Sequence, residues 1–534
     1  VTTTRWFIVA LFALFLPFLG KAPVVDEESY LFMANAIAEH PFEPYDWWRN
    51  WQPWGSEISS NSFHFAHPPL HLWWMTLWHS LVGEGPLLRF LVAAPWILLF
   101  GISAANLAKT TTRNPILVLL VCFSSPVLLL GLHDSMMIDL GVLALSTASI
   151  ATYRQALSTR GEFDRRKALH AGLFLGLACS YKYPALLLLL LYLVHLHRLG
   201  LLKSSPQLWL GFFAVFGGIQ AYLALSYGQV HLLTALQSAT DLDRSSVPQR
   251  SGGMFVRLGF ALSPLLLLSG PHLRRYLLPG AGIGLLSLWS LGRGDLETPG
   301  ILALLVFATA GGAFFTRGIV GAWPQKSRGR RQRDREDGLL LGGWATLVLL
   351  SIMFGHNYSD SRYLLPALLP LSLLVVRSST QQAGAKPWIR IGSISWAALG
   401  LVVAIADYRF ASASQELAQT IAKEHQPARF SAEWTIRHTL EKQGWRFWHP
   451  SNEGGDYALQ PGEKVVIFQN GGSSSPPENA KKILHIRSPE HFPLRLLDAE
   501  VDAGYHSEGL GRLPIGWGSG SMVEATIYEV ANTP

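Results

Sequence analysis

Apolar residues in this chain fall in long uninterrupted runs separated by short polar breaks. Runs such as 87–108, 207–227 and 388–406 each supply the roughly 20 helical residues needed to cross a hydrocarbon core. Read the same way throughout, the pattern predicts helices at 6–20, 87–108, 115–131, 138–153, 168–181, 184–198, 207–227, 255–271, 276–291, 299–317, 339–355, 362–376 and 388–406, about thirteen crossings. From 407 onward the runs stop and charges return. The expectation is an all-α polytopic membrane domain over 1–406, with a first outer loop at 21–86, followed by a small soluble α/β domain over 407–534. In that tail, helices are expected at 412–425 and 435–443. Strands are expected at 464–469, 482–486 and 523–530, with a Gly/Ser/Pro connector at 471–477.

One apolar segment is not counted as a crossing. Residues 68–82 carry Trp73, Trp74 and Trp78 together with His71 and His79. Loop charge decides its status. Basic loops lie at 109–113, 154–167, 197–203, 272–275, 325–335 and 377–386, and short loops rich in Lys and Arg stay cytoplasmic. Counting 68–82 as a span would put Lys109 and Arg113 outside and invert every later loop. An interfacial helix keeps the parity and suits the tryptophans. The N-terminus, after Arg5, is then cytoplasmic. The loop 24–66, with Asp26, Glu27, Glu28, Glu39, Glu43, Asp46 and Glu57 against Arg49 alone, is outside, as is the tail. Lys21, Ala22 and Pro23 make a poor signal-cleavage site, so 6–20 is read as a retained helix.

Composition sharpens this picture. Charged residues are 15% of the chain, against roughly 25% in soluble domains. The net charge of +7 is a topology signal in short loops, not a nucleic-acid surface. Cys122 and Cys179, both in apolar segments, exclude a disulfide framework and give no support to a Cys-based metal site. The chain shows no internal repeat of the kind transporters carry.

Parity places a set of polar and ionisable residues at one face: Asp26, Glu27 and Glu28; His64 and His67; His133, Asp134 and Asp139; Lys182 and Tyr183; and the stretch from Tyr358 through Arg362 and Tyr363. Charges near a bilayer are costly and usually pair or act. Acids and bases facing one pocket suit an anionic substrate with a general base. Each residue also has a plain reading. Asp134 and Asp139 sit at a helix start, where carboxylates favour the dipole. Lys182 can snorkel, and Arg362 can pair with Asp360. His64 and His67, three apart, are weak evidence for metal; a divalent cation on the outer acids and these histidines is left open.

The order of these pieces resembles the polytopic glycosyltransferases of the GT-C class, in the bacterial branch of protein O-mannosyltransferases and aminoarabinose transferases. The resemblance rests on Asp26, Glu27 and Tyr30 after the first helix and on His67, Pro68, Pro69 and Leu70. It continues through His133, Asp134 and Asp139, then Gly172 and Gly176 leading to Lys182, Tyr183 and Pro184, and ends with Ser361, Arg362, Tyr363 and Pro366. It implies a polyprenyl-phosphate-linked sugar donor and transfer at the outer face, with inversion, at the inner membrane of a bacterium. Asp26 matches the essential first-loop acid, and Glu27 its assisting partner. Lys182, Arg362 and His67 match positions near the donor phosphate, with His133, Asp134, Asp139, Tyr183 and Tyr363 in support. Aminoarabinose transferases have lysine where this chain has His67. The acceptor is an envelope polymer, a glycolipid or a protein hydroxyl.

Two rivals stand beside it: a transporter or flippase of a lipid-linked glycan, and a polysaccharide ligase or polymerase. A transporter should bury its charges at mid-membrane. Gathering them at one face favours the enzyme. In the tail, Trp434, Trp445, Trp448 and Trp517 are read as core before sugar-stacking platforms.

Overall fold

The computed structural model describes residues 2–47, 63, 67–157, 163–240, 244–269, 271–292, 296–322, 330–379, 385–426, 428–449, 459–469, 475–477 and 479–531. His64 lies outside the described residues.

The predicted apolar segments are largely helical, although 255–271 breaks after Ala261 into a 3-10 turn at Pro264–Ser269. The chain opens with α1 (Thr2–Phe15), α2 (Glu27–Glu39) and α3 (Leu70–Val82). There follow α4 (Pro86–Thr111), α5 (Pro115–Phe123), α6 (Pro126–His133), α7 (Ile138–Ala156), α8 (Arg165–Tyr181) and α9 (Leu187–Arg198). A π-turn over Phe213–Gly217 joins α10 (Pro206–Phe212) to α11 (Gly218–Tyr227). The rest of the bundle is α12 (His231–Thr240), α13 (Val247–Ala261), α14 (Pro271–Arg274), α15 (Leu277–Leu291), α16 (Thr298–Ala322), α17 (Arg330–Gly355), α18 (Leu365–Ser379) and α19 (Ala385–Glu424).

Among the described residues, five helical stretches are long and apolar enough to cross a membrane: α4, α10 with α11, most of α16, most of α17, and α19. A sixth arises if α5 and α6, bent by 67°, form one broken span. Pro126 causes the bend, because it lacks the N–H that would continue α5. The expected count of about thirteen thus includes helices that are shorter or carry charge, such as α13 with Arg250 and Arg257. α3, at 13 residues, is about 20 Å long and falls short of a core about 30 Å thick. Its Trp74 indole donates to the Val92 carbonyl of α4 (3.1 Å) and its Trp73 indole to the Pro41 carbonyl (3.0 Å).

α7 is the centre of the bundle, buried at every position from 138 to 151. It packs on α4 and α8. α8 in turn meets α10 so closely that a Cβ on Gly172 would lie 2.0 Å from the Leu208 carbonyl, and one on Gly211 2.4 Å from that of Leu169. Small residues bring two backbones together in this way, so the Gly172 and Gly176 run is a packing motif.

Among its described residues the tail contains α20 (Trp434–Glu441) and nine short strands, and the strands at 464–469, 480–487 and 524–530 match expectation. The main sheet joins β1 (Arg429–Ser431), β2 (Arg446–Phe447), β3 (Lys464–Gln469), β4 (Ala480–Arg487) and β9 (Glu524–Val530) in the order β2-β1-β3-β9-β4. β1 is parallel to β2 and β3, while β9 is antiparallel to β3 and β4. Two smaller pairs, β5 (Leu494–Arg495) with β8 (Gly516–Trp517) and β6 (Leu497–Asp498) with β7 (Ala503–Gly504), complete it. Trp445 and Trp448 are core residues, whereas Trp517 is exposed.

α19 runs unbroken through the expected boundary at 406/407. Its Val403, Ala406 and Ala411 belong to the helical core, and its Ala413, Leu417 and Ile421 to the tail's own core. Leu494, Leu496, Tyr505 and Leu513 of the tail return to the helical core.

Candidate active site

Asp26 stands at the N-terminus of α2, but its side chain makes no capping bond to the helix. The preceding Val25 has φ 49, a left-handed backbone that a β-branched residue rarely adopts. Such strain costs on the order of 1–3 kcal/mol and persists only where surrounding contacts enforce it. They do so here: Glu27 accepts the Val24 N–H (3.3 Å), and Thr435 of α20 donates to the Pro23 carbonyl.

The freed Asp26 carboxylate meets Arg362, whose Nη2 donates to Oδ2 at 2.6 Å. Arg362 lies in the 3-10 turn Ser361–Leu364 before α18. Its Nε is 2.7 Å from Asp360 Oδ2 and 3.8 Å from Asp139 Oδ2. Asp139, in the first turn of α7, accepts from Lys182 Nζ at 2.8 Å. Lys182, at the break after α8, also lies 4.4 Å over the Tyr363 ring. Four distant segments thus join into one chain of charges: Asp26, Arg362, Asp360, Asp139 and Lys182. Asp26 is 32% exposed, while Arg362, Asp139 and Lys182 are each 8% exposed, so Asp26 is the member that faces solvent. Asp360, the plain partner foreseen for Arg362, is present together with Asp26.

Beside Lys182 and Asp139 opens a small cleft with about 40 Å³ of free space. His356 and Tyr363 also line it, and most of its lining is apolar, from Val142, Leu188, Leu347 and Val348 among others. A largely apolar cleft with a lysine in its lining suits an amphiphile with an anionic head.

The other expected residues divide. Glu27 is fully buried and holds Arg89 in a two-pronged ion pair (2.9 and 2.8 Å), and it also accepts the Met136 N–H (3.1 Å). Asp134 is separated from Asp139 by an extended residue, Met137, and pairs instead with Lys21, which also holds Asp407 of α19. His133 bonds the Leu14 carbonyl (3.0 Å) and stacks on Phe18. Tyr183 bonds His231 and accepts from Gln220 (3.1 Å). His67 is near enough to the cluster to feel it: burial first, and then Lys182, hold its imidazole well below the usual histidine range. It is therefore neutral at physiological pH.

Lys21, Arg89 and Asp407 were not foreseen as site or support residues. For Arg89 the available signal was a charge inside the apolar run 87–108, whereas Asp407, with Arg409 two residues on, reads in sequence as the return of charge at the start of the tail. Among the described residues, no three His, Cys, Asp or Glu side chains converge as a metal site would need.

No protein-family model and no curated protein matches the chain. Among solved structures it is similar to ArnT from Cupriavidus metallidurans in the apo state, with 15% identity and a TM-score of 0.42 over 89% of this chain and 94% of that one. The same protein bound to undecaprenyl phosphate gives 15% and 0.40 over 86% and 92%. The archaeal oligosaccharyltransferase AglB from Archaeoglobus fulgidus, in complex with an inhibitory peptide and a dolichol-phosphate, gives 14% and 0.42 over 83% and 64%.

Proposed function

We propose that this chain is an integral membrane glycosyltransferase. It takes a sugar from a polyprenyl-phosphate carrier and gives it to an acceptor hydroxyl on the outer face, with inversion. The observation that carries this reading is the continuous chain from Asp26 through Arg362 and Asp139 to Lys182, of which Asp139 and Lys182 line a largely apolar cleft. The cleft takes the prenyl chain next to the phosphate, and Lys182 and Arg362 face that phosphate. They stabilise the charge that grows on it as the glycosidic bond breaks.

The chain of charges holds three carboxylates and two cations. A phosphate enters by taking Arg362 away from the most exposed carboxylate, Asp26. That exchange frees Asp26 as the general base for the acceptor hydroxyl. With one base and a phosphate leaving group, a single displacement inverts the anomeric centre. Glu27 assists from below by fixing the strained Val24–Val25 backbone, and neutral His67 serves as a hydrogen-bonding group. The N-terminus is cytoplasmic and 407–534 extracytoplasmic, which puts the whole cluster on the outer face.

The test uses purified protein and a panel of polyprenyl-phosphate sugars, with undecaprenyl phosphate itself as the binding probe. Wild type is expected to transfer at least one sugar and Asp26→Asn to do so far more slowly. Equal rates for the two would remove Asp26 from the reaction.

A further inference from the structure

The segment that carries Arg362 is gripped from outside the helical bundle. Glu508, in the tail, accepts from both the Ser359 N–H (2.7 Å) and the Ser359 hydroxyl (2.8 Å). The Tyr505 carbonyl accepts from the Ser361 N–H (3.2 Å) and the Ser361 hydroxyl (2.8 Å). Between them, His506 Nδ1 lies 3.5 Å from Asp360 Oδ2, the atom that also holds Arg362 Nε at 2.7 Å. Ser359, Asp360, Ser361, Tyr505, His506 and Glu508 are all buried.

The gripping segment is itself anchored. Arg257 of α13, fully buried, donates to the carbonyls of Gly504 and Gly511 (3.2 Å for the latter). Gly253, one turn earlier, leaves room for the assembly, since a Cβ there would lie 2.5 Å from Ser359 Oγ and 2.9 Å from Glu508 Cβ. Three elements separated by more than a hundred residues therefore meet on Ser359, Asp360 and Ser361, whose neighbour is Arg362.

We infer that the tail segment 503–511 is a positioning element of the active site, in which Glu508 and His506 set where the Arg362 guanidinium lies. The inference rests on the proposed role of Arg362 at the donor phosphate. Neither residue touches substrate; both act through Ser359 and Asp360. A guanidinium displaced by about 1 Å loses its aim at a developing charge, which is enough to cost on the order of a hundredfold in rate.

The experiment is a double-mutant cycle on the full chain, combining Glu508→Ala with Arg362→Ala. It measures both sugar transfer and affinity for undecaprenyl phosphate. Glu508→Ala alone is expected to slow turnover by roughly tenfold or more, and Glu508→Gln, which keeps an acceptor oxygen, to recover most of the rate. In the Arg362→Ala background Glu508→Ala should cost almost nothing further, because the group it positions is gone. A penalty that persists undiminished in that background overturns the proposal and leaves Glu508 a fold-stabilising residue. If Glu508→Ala does not fold, Ser359→Ala takes its place in the same cycle, with the same two outcomes. Wild type that binds undecaprenyl phosphate but transfers nothing sinks the glycosyltransferase reading alone, and the cycle is then read in the affinities. Wild type that does neither overturns both.

Discussion

Arg362 reaches across the fold to Asp26, donating at 2.6 Å to a carboxylate 336 residues earlier in the chain. Asp26 has declined its obvious local role, since its side chain does not cap α2. A solvated loop acid would not be aimed in this way by a strained Val25. As the proposed base, Asp26 should be worth about 10²–10⁴ in rate. Asp26→Asn is expected to lose transfer by that factor while binding undecaprenyl phosphate at least as tightly as wild type, since the phosphate no longer competes with Asp26 for Arg362. Loss of both in equal measure would make Asp26 a binding residue only.

Lys182 and Asp139 are a buried pair at 2.8 Å. Removing one partner of such a pair strands the other and costs about 3–5 kcal/mol, whereas replacing both with well-packed neutral groups is often harmless. Asp139→Asn and Lys182→Met should each lower the thermal midpoint in detergent, and the double variant should recover it. Activity should not recover, because the phosphate has lost its lysine. A double variant with restored stability and restored turnover would take Lys182 out of the site.

Hydropathy runs made the helices legible, because an apolar stretch in a membrane protein has no other way to satisfy its backbone. The tail's principal strands and α20 were legible for a similar reason: alternation and short apolar runs between turn residues. The pairing of charges was not. Asp134 and Asp139 both looked like acids at one helix start, yet the extended Met137 between them sends the first to Lys21 and Asp407 and the second to Lys182 and Arg362. No periodicity records such a choice. Nor does any pattern in 503–511 announce that it packs against Ser359 and Ser361. Lys21 was visible only as a residue in a poor cleavage site, because its partners lie far away in the chain.

Glu27 looks in sequence like a second catalytic acid, and its geometry separates that role from another. Its two oxygens are taken by Arg89, the Met136 N–H and the Val24 N–H. Glu27→Gln breaks the charge balance with Arg89, so a loss of about 3–5 kcal/mol in stability is expected. The properly folded fraction should turn over near the wild-type rate, as active-site titration with undecaprenyl phosphate would show. A variant of wild-type thermal stability but abolished turnover would place Glu27 in the chemistry instead.

Glu84, in the loop between α3 and α4, ties the helical bundle to the tail. It accepts from His438 of α20 (3.1 Å) and pairs with Lys442 (2.5 Å). The hydrogen bond from His438, with that from Lys442, holds its carboxyl down at about 2, against an ordinary value of 4.5. A depressed carboxylate contributes stability that is complete above its unfolded pKa and is lost as pH falls through its folded pKa. The contribution should therefore be full above about pH 5 and fade between about 4.5 and 2. Glu84 is only half-buried, so water screens the pair and its worth is at most about 1 kcal/mol. Thermal midpoints measured against pH should fall less steeply across that window in Glu84→Gln than in wild type. Identical slopes would mean that Glu84 is equally paired before folding and does not latch the two parts together.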